Sequence, residues 1–319
     1  MTQLLELKGL EISYKNGPPI VEALSLSLKK GEILALVGES GCGKSLSGLA
    51  ILRLLPRSIV LSGGKIIFKG QDLVPLPEEE MRKYRGRELA IIFQDPMVSL
   101  NPVFRVGEQV AEVLQCHYGY SKEAALKRVE ELFGEVGIPA PHERLHAYPH
   151  ELSGGMRQRV MIAMALAGEP ALLIADEPTT ALDVTIQAQI LELLAYLRKS
   201  RRLSILLITH DLGVVAELAD QVAVMYAGRL VEVASCEDLY ERPAHPYTRA
   251  LLAALPRPGQ RQLYALPGNV PPPGRRPPGC KFLDRCPQAR SRCQEEEPSL
   301  ELWAPNHWVR CFYARDSQA

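Results

Sequence analysis

Residues 38–45 have the sequence GESGCGKS. This stretch directly follows the apolar run Ile33–Val37 and directly precedes a run of helical character, 46–55. A glycine-rich turn between a strand and a helix can point several backbone N–H groups at a phosphate. The stretch therefore predicts a phosphate-binding loop for a nucleotide in an α/β fold, with a flexible glycine turn as the alternative. The predicted phosphate-binding residues are Gly38, Ser40, Gly41, Cys42, Gly43, Lys44 and Ser45.

A second apolar run, 171–175, ends in the two acids Asp176 and Glu177. A buried parallel strand delivers such carboxylates to its C-terminal edge, where ligands of these sheets bind. We expect Asp176 and Ser45 to hold Mg²⁺, and Glu177 to orient and deprotonate an attacking water. Two acids after a strand can also mark the start of a helix, which is the alternative.

The composition excludes several classes of protein. The chain has 319 residues, which favours one main domain with an appendage, and its 37 basic residues balance 37 acidic ones. A chain without net charge is unlike a protein that neutralises nucleic-acid phosphates, so no nucleic-acid partner is expected. Met1–Leu10 lacks the pattern of a secretory signal, and no apolar run approaches the roughly 20 residues that cross a bilayer. We expect the chain to remain in the cytoplasm and to reach a membrane through partners.

The pattern along the chain predicts three parts. From 1 to 255, apolar runs alternate with helical patterns, which indicates a largely parallel sheet covered by helices, with a helical insertion over 95–166. Eight prolines within 256–278 predict an extended linker. The tail, 279–319, is too short to be stable by burial alone. The strand predictions are Ile33–Val37, Leu89–Phe93, Leu172–Ala175 and Ile205–Ile208.

Residues 152–156 read LSGGM, and with this motif the chain resembles the ABC ATPase family, whose signature is LSGGQ. Met156 replaces the usual glutamine, while Ser153, Gly154 and Gly155, which the family uses to contact the γ-phosphate, are retained. Taken alone, Ser153 would equally be the N-cap of a helix. Because the motif occurs together with the phosphate-binding loop, it favours membership of the ABC ATPase family over a simple helix cap.

Four further positions match landmarks of this family. The resemblance implies that Tyr14 stacks on adenine and that Gln94 contacts Mg²⁺ and senses the helical insertion. It also implies that Asp183 lies at a dimer interface and that His210 bridges Glu177 and the γ-phosphate. Each could instead be ordinary packing, a strand end or a helix cap. The catalytic residues implied are Lys44, Gln94, Glu177 and His210.

The family resemblance also implies an assembly. Two such subunits close head to tail around ATP, with each phosphate-binding loop facing the partner's signature motif. Two transmembrane permease chains dock on the helical insertions at the cytoplasmic face of the membrane, and an extracytoplasmic solute-binding protein delivers the solute. Alternatives of another class are a soluble ABC ATPase of DNA repair or translation, or an ATP-gated scaffold.

Four segments narrow the resemblance to ATPases of dipeptide, oligopeptide and nickel importers. They are ERPAHPYTRALL at 241–252, IFQDPM at 92–97, SLNP at 99–102 and TTALDVT at 179–185. We therefore expect an ATPase that drives import of di- or oligopeptides, with a nickel or metallophore importer as the alternative. The subfamily implies that the dimer partner is a related chain rather than a second copy.

Four cysteines of the tail are separated by five, six and seventeen residues. These gaps are wider than the two to four residues typical of structural zinc sites, so the spacing leaves an iron–sulfur cluster, zinc and free thiols open. The resemblance implies a structural 4Fe-4S cluster. No role is expected for Cys42, Cys116 or Cys236, except that oxidation of Cys42 would affect the phosphate-binding loop in which it lies. The predicted cluster ligands are Cys280, Cys286, Cys293 and Cys311.

Overall fold

The computed structural model of this chain describes residues 2–180, 182–255 and 266–316, apart from the side chains at 96 and 97. The chain forms two compact units. We call Pro75–Leu207 the inserted unit, and Thr2–Val74 with Ile208–Ala319 the split unit. Residues 256–265 of the predicted linker and 317–319 of the predicted tail lie outside the described residues.

The split unit begins with an antiparallel sheet of order β2-β1-β4-β5. Buried and exposed residues alternate along its first two strands, as expected when one face of an antiparallel sheet packs on a core. The sequence prediction of a largely parallel sheet missed this sheet, because it relied on uninterrupted apolar runs. The elements of this segment are β1 (Gln3–Tyr14), β2 (Pro19–Lys29), β3 (Ile33–Val37), α1 (Lys44–Ile51), β4 (Ile59–Phe68) and β5 (Gln71–Asp72).

The inserted unit contains a parallel pair of strands, β6 and β7. Its elements are α2 (Glu78–Tyr84), β6 (Leu89–Ile92), α3 (Pro96–Ser99), α4 (Val106–Tyr118), α5 (Lys122–Glu135), α6 (Pro141–Arg144), a 3₁₀ turn (Pro149–Glu151), α7 (Gly154–Leu166), β7 (Leu172–Asp176) and α8 (Val184–Arg201). None of the residues between β6 and β7, all of which the structure describes, lies in a strand. Ser121 caps α5 by accepting a hydrogen bond from the Ala124 N–H, a role that serine favours directly before a helix.

The chain returns to the split unit through β8 and ends in a small hairpin. In this segment β3 pairs in parallel with β9, and the neighbours β9, β10, β12 and β11 pair antiparallel. The tail therefore adds β12 and β11 to the sheet that contains β3, β9 and β10. The elements are β8 (Ser204–Thr209), α9 (Leu212–Leu218), β9 (Gln221–Tyr226), β10 (Arg229–Ser235), α10 (Cys236–Glu241), α11 (Pro246–Ala253), a 3₁₀ turn (Leu283–Arg285), α12 (Ser291–Glu295), β11 (Glu301–Ala304) and β12 (His307–Val309).

Three strands are buried along their whole length: β3, β7 and β8. Apolar side chains on both faces of a strand are the pattern of a parallel strand covered on both sides. These strands and β6 confirm the four strand predictions within one or two residues. Among the described residues, no helix is long and apolar enough to span a membrane.

Candidate nucleotide site

The phosphate-binding loop, residues 38–45, follows β3 and ends in α1. Gly38 has φ +154° and a Cβ there would lie 2.1 Å from the Met225 carbonyl oxygen, so no other residue fits. Gly43 has φ +105° and a Cβ would lie 2.6 Å from Val21 Cγ2. The loop thus runs close to two neighbouring segments of the split unit, and its glycines are needed for that approach.

Lys44 lies inside the curve of this loop and is 5% exposed. Its Nζ donates to the carbonyl oxygens of Gly38 at 2.7 Å and of Glu39 at 3.1 Å. The first turn of α1, which Lys44 and Ser45 begin, carries no acidic residue. A helix N-terminus with a nearby ammonium is suited to phosphate oxygens.

Cys42 is completely buried in the loop. Burial raises the pKa of its thiol above the usual value, and the nearby Lys44 ammonium only partly opposes this. The thiolate is the form that oxidants attack. The structure therefore argues against the expected sensitivity of this residue to oxidants.

In the inserted unit, two predicted catalytic residues meet. The Gln94 amide donates to the Glu177 carboxylate at 2.8 Å, although the residues are 83 positions apart. Thr180 Oγ1 donates to the same oxygen at 2.9 Å. Asp176, the last residue of β7, is buried, and Glu177 has φ +47°, a conformation that is uncommon outside glycine and concentrates at functional sites. The turn after β7 thus holds the proposed general base in a fixed orientation.

The signature motif begins α7, and Ser153 is its N-cap, accepting a hydrogen bond from the Met156 N–H at 3.3 Å. Asp183 caps α8 in the same way through the Ile186 N–H at 3.0 Å. Ser153 and Asp183 are therefore helix N-caps, which is the structural role that the sequence also allowed for each of them. A cap leaves a second lone pair on each oxygen, so the two roles are compatible.

Close packing joins these two helices. A Cβ at Gly155 would lie 2.7 Å from Ile186 Cγ2, so a larger residue here would displace the Ile186 side chain. Gln158 on α7 is buried and donates to the Pro178 carbonyl oxygen at 2.6 Å. The signature helix is thereby tied to the turn that carries Glu177.

The remaining predicted residues lie at strand ends of the split unit. Tyr14 ends β1 and is 44% exposed. His210 follows β8 directly and is exposed. Sequence reasoning assigned no role to Thr180 or Gln158: Thr180 enters only as part of the segment 179–185, and Gln158 is marked by neither a charge, a glycine nor a motif.

The four cysteines of the tail line one small cavity of about 20 Å³, together with His245 and Phe282. Burial raises the pKa values of Cys280 and Cys311 to about 11, so these two side chains are thiols at neutral pH. In residues 2–180, 182–255 and 266–316, no three His, Cys, Asp or Glu side chains are grouped so as to hold a metal ion. The structure therefore does not support the predicted cluster, which stays a prediction.

Comparison with known sequences identifies the family. The ABC transporter profile matches residues 21–180, and the profile of the oligopeptide/dipeptide transporter C-terminal region matches 231–293. The chain is 52% identical to the oligopeptide transport ATP-binding protein OppD of Bacillus subtilis, over 98% of this chain and 89% of that protein. This chain belongs to the ABC transporter family.

Other relatives agree with this assignment to the ABC transporter family. The dipeptide transport ATP-binding protein DppD of Escherichia coli K12 is 51% identical over 93% of this chain and 91% of its own length. Among solved structures, a dimeric ATP-binding cassette in a post-hydrolysis state bound to ADP and Pi aligns with a TM-score of 0.66 and 27% identity. That alignment covers 73% of this chain and 99% of the other. The predicted α/β ABC ATPase fold is therefore confirmed.

Proposed function

We propose that this chain binds and hydrolyses ATP with Mg²⁺ and thereby drives import of di- and oligopeptides through separate membrane-embedded permease chains. The observation that carries the proposal is the buried Lys44 ammonium, held inside a glycine-rich loop at the N-terminus of α1. The peptide substrate rests on the match of 231–293 to the peptide-transporter C-terminal region and on relatives near 50% identity named for peptide transport. Neither a nickel importer nor a soluble ATPase is favoured by these relatives.

The chemistry requires a small set of side chains. Lys44 binds the β- and γ-phosphates, and Ser45, Asp176 and Gln94 supply the ligands of Mg²⁺. Glu177 takes a proton from the attacking water, and its hydrogen bonds from Gln94 and Thr180 hold the carboxylate in place. His210 steadies the γ-phosphate and Glu177, and Tyr14 stacks on the adenine.

The working assembly that we propose contains two ATPase chains, which accounts for the retained signature residues, and it sits at the cytoplasmic face of the membrane. Ser153, Gly154, Gly155 and Asp183 contact the nucleotide held by the partner chain, which is a related ATPase. Two permease chains dock on the helices of the inserted unit, and an extracytoplasmic binding protein delivers the peptide. The dimeric cassette among the solved relatives supports the pairing.

The test is peptide uptake into liposomes that contain this chain and the permease chains that copurify with it from detergent-solubilised membranes. We expect ATP-dependent uptake of labelled di- or tripeptides, and none of nickel. Lys44→Ala should weaken ATP binding by roughly tenfold or more, because a charged hydrogen-bonding partner of phosphate is lost. Lys65→Ala, an exposed lysine of β4 in the split unit, is the matched control. Unchanged ATP affinity and uptake in Lys44→Ala protein would refute the proposal.

We propose further that the four tail cysteines bind a 4Fe-4S cluster. Four thiols around one cavity are the ligand set of such a cluster, and they must lose their protons when it binds. A cavity of about 20 Å³ has room for about one water, so the thiols must move outward to admit the cluster.

Iron and zinc measured per chain after anaerobic purification test this second proposal. We expect about four irons and their visible absorption, lost in Cys286→Ser and Cys293→Ser protein and kept in Cys116→Ser protein. One zinc per chain without iron would refute it.

A further inference from the structure

An arginine of the tail contacts the phosphate-binding loop. Arg285 immediately precedes Cys286 and ends the 3₁₀ turn Leu283–Arg285. Its two terminal nitrogens donate to the two carboxylate oxygens of Glu39, at 2.6 Å and 2.9 Å. Glu39 is the second residue of the loop GESGCGKS.

This pair differs from ordinary surface ion pairs. The Arg285 side chain is 5% exposed, and that of Glu39 is 28% exposed. Exposed pairs contribute little because water screens them and both side chains lose freedom, whereas a bidentate pair with a fixed fork loses less. The guanidinium is also fixed by its Nε, which donates to the Pro267 carbonyl oxygen at 2.8 Å, and it lies 5.7 Å from the centre of the Tyr226 ring.

Glu39 is held at three points. Its carboxylate binds Arg285, its N–H donates to the Tyr247 hydroxyl at 2.9 Å, and its carbonyl oxygen accepts from Lys44 Nζ at 3.1 Å. Tyr247 is completely buried, with its ring centre 4.7 Å from that of Tyr226. The residue that holds the lysine ammonium is thus itself held by the tail and by α11.

A loop built on glycines has much conformational freedom, and any freedom it loses when a ligand binds reduces affinity. A contact that fixes the loop before the ligand binds reduces this loss of conformational entropy on binding. We propose that Arg285 is a positioning residue for nucleotide binding: through its bidentate pair with Glu39 it holds the phosphate-binding loop, and with it Lys44, in the geometry that receives phosphate. The proposal rests on the proposed function, and it makes the tail a determinant of nucleotide affinity.

A double-mutant cycle tests this coupling. The variants are Arg285→Gln, Glu39→Gln and the double variant, and the measurement is the Kd of a fluorescent ATP analogue with Mg²⁺. We expect each single variant to raise Kd by about tenfold, since contacting charged partners couple by about 0.5–3 kcal/mol. The double variant should be no weaker than either single one. In the ATPase assay KM should rise while kcat at saturating ATP stays the same, because the arginine contacts no reacting atom.

Arg292→Gln is the matched control. Arg292 also precedes a cysteine, Cys293, and pairs with a glutamate, Glu296, at 3.0 Å, but that pair is exposed and lies within the tail. Its Kd should equal that of the unmodified chain. Arg285→Lys, which keeps the charge but not the fork, should recover part of the affinity.

Three results would overturn the proposal: an unchanged Kd in Arg285→Gln protein, additive effects in the double variant, or equal weakening by Arg292→Gln. Melting temperatures of all variants show whether the fold is lost. If Arg285→Gln acted by unfolding the tail, it would weaken nucleotide binding in the Glu39→Gln chain as much as in the unmodified chain. If the unmodified chain itself bound no nucleotide, that result would refute the proposed ATPase function as well as the role of Arg285.

Discussion

At the residue scale, the turn after β7 is constrained by its backbone and by side-chain hydrogen bonds. Glu177 has a positive φ and its carboxylate accepts two side-chain hydrogen bonds. A carboxylate fixed in this way is suited to orient a water, because its rotamer is set before the ligand arrives.

Glu177→Gln should leave ATP affinity near that of the unmodified chain while lowering kcat by roughly a hundredfold or more, the usual loss when a general base is removed. The amide has almost the same shape and cannot take a proton. Steady-state ATPase rates and ATP-analogue titration measure the two effects. Glu143→Gln, an exposed acid of α6, should keep the normal rate. Normal turnover by Glu177→Gln protein would remove Glu177 from the role of base.

Cys42 should react with iodoacetamide at pH 8 at least about tenfold more slowly than Cys116, because alkylation needs an accessible thiolate. Cys42 is buried and its pKa is raised by that burial, whereas Cys116 is exposed. Mass spectrometry of tryptic peptides at several times gives both rates from one sample. In urea the two rates should become similar. Equal rates in the folded chain would contradict the burial of the loop cysteine.

At the element scale, one buried acid joins three segments of the split unit. Glu232 on β10 is 0% exposed and accepts hydrogen bonds from the N–H groups of Ala244 and His245, at 2.7 Å and 2.9 Å. His307 on β12 makes a third hydrogen bond to it, at 2.7 Å between Nε2 and the carboxylate. The side chain therefore holds the start of α11 and the final hairpin against the sheet.

Glu232→Ala should lower the free energy of unfolding by about 3 kcal/mol or more, because it leaves three buried donors without their acceptor. Urea denaturation followed by fluorescence of the two tryptophans measures the change. Glu237→Ala, an exposed acid of α10, should change stability by less than about 0.5 kcal/mol. A loss of the same small size in both variants would show that the buried contacts are dispensable.

At the scale of the whole molecule, the tail is part of the unit that contains the phosphate-binding loop. It supplies β12, which pairs with β10, and Phe282, which packs against Tyr226 and Tyr247 with ring centres 5.1 Å and 5.4 Å apart. Removing the tail would leave one edge of β10 unpaired and these rings uncovered. Unpaired edges and exposed aromatic surface promote association between chains.

A chain that ends at Pro278 should therefore self-associate in size-exclusion chromatography and bind the ATP analogue at least about tenfold more weakly, since it also lacks Arg285. Full-length Arg285→Gln protein is the control, because it loses the loop contact but keeps the hairpin and should remain unassociated. A truncated chain that eluted like the full-length protein and bound nucleotide normally would show that the tail is an independent appendage.

The sequence by itself determined the local features of this protein. A continuous apolar run marks each fully buried strand, a glycine pattern marks the phosphate-binding loop, and Ser121 marks the start of α5, because each feature depends on residues a few positions apart. The tertiary structure alone decided which distant groups meet. It brings Gln94 to Glu177 across 83 positions and Arg285 to Glu39 across 246, and it pairs the tail with β10. Such contacts depend on packing between elements, which periodicity and motif spacing do not encode.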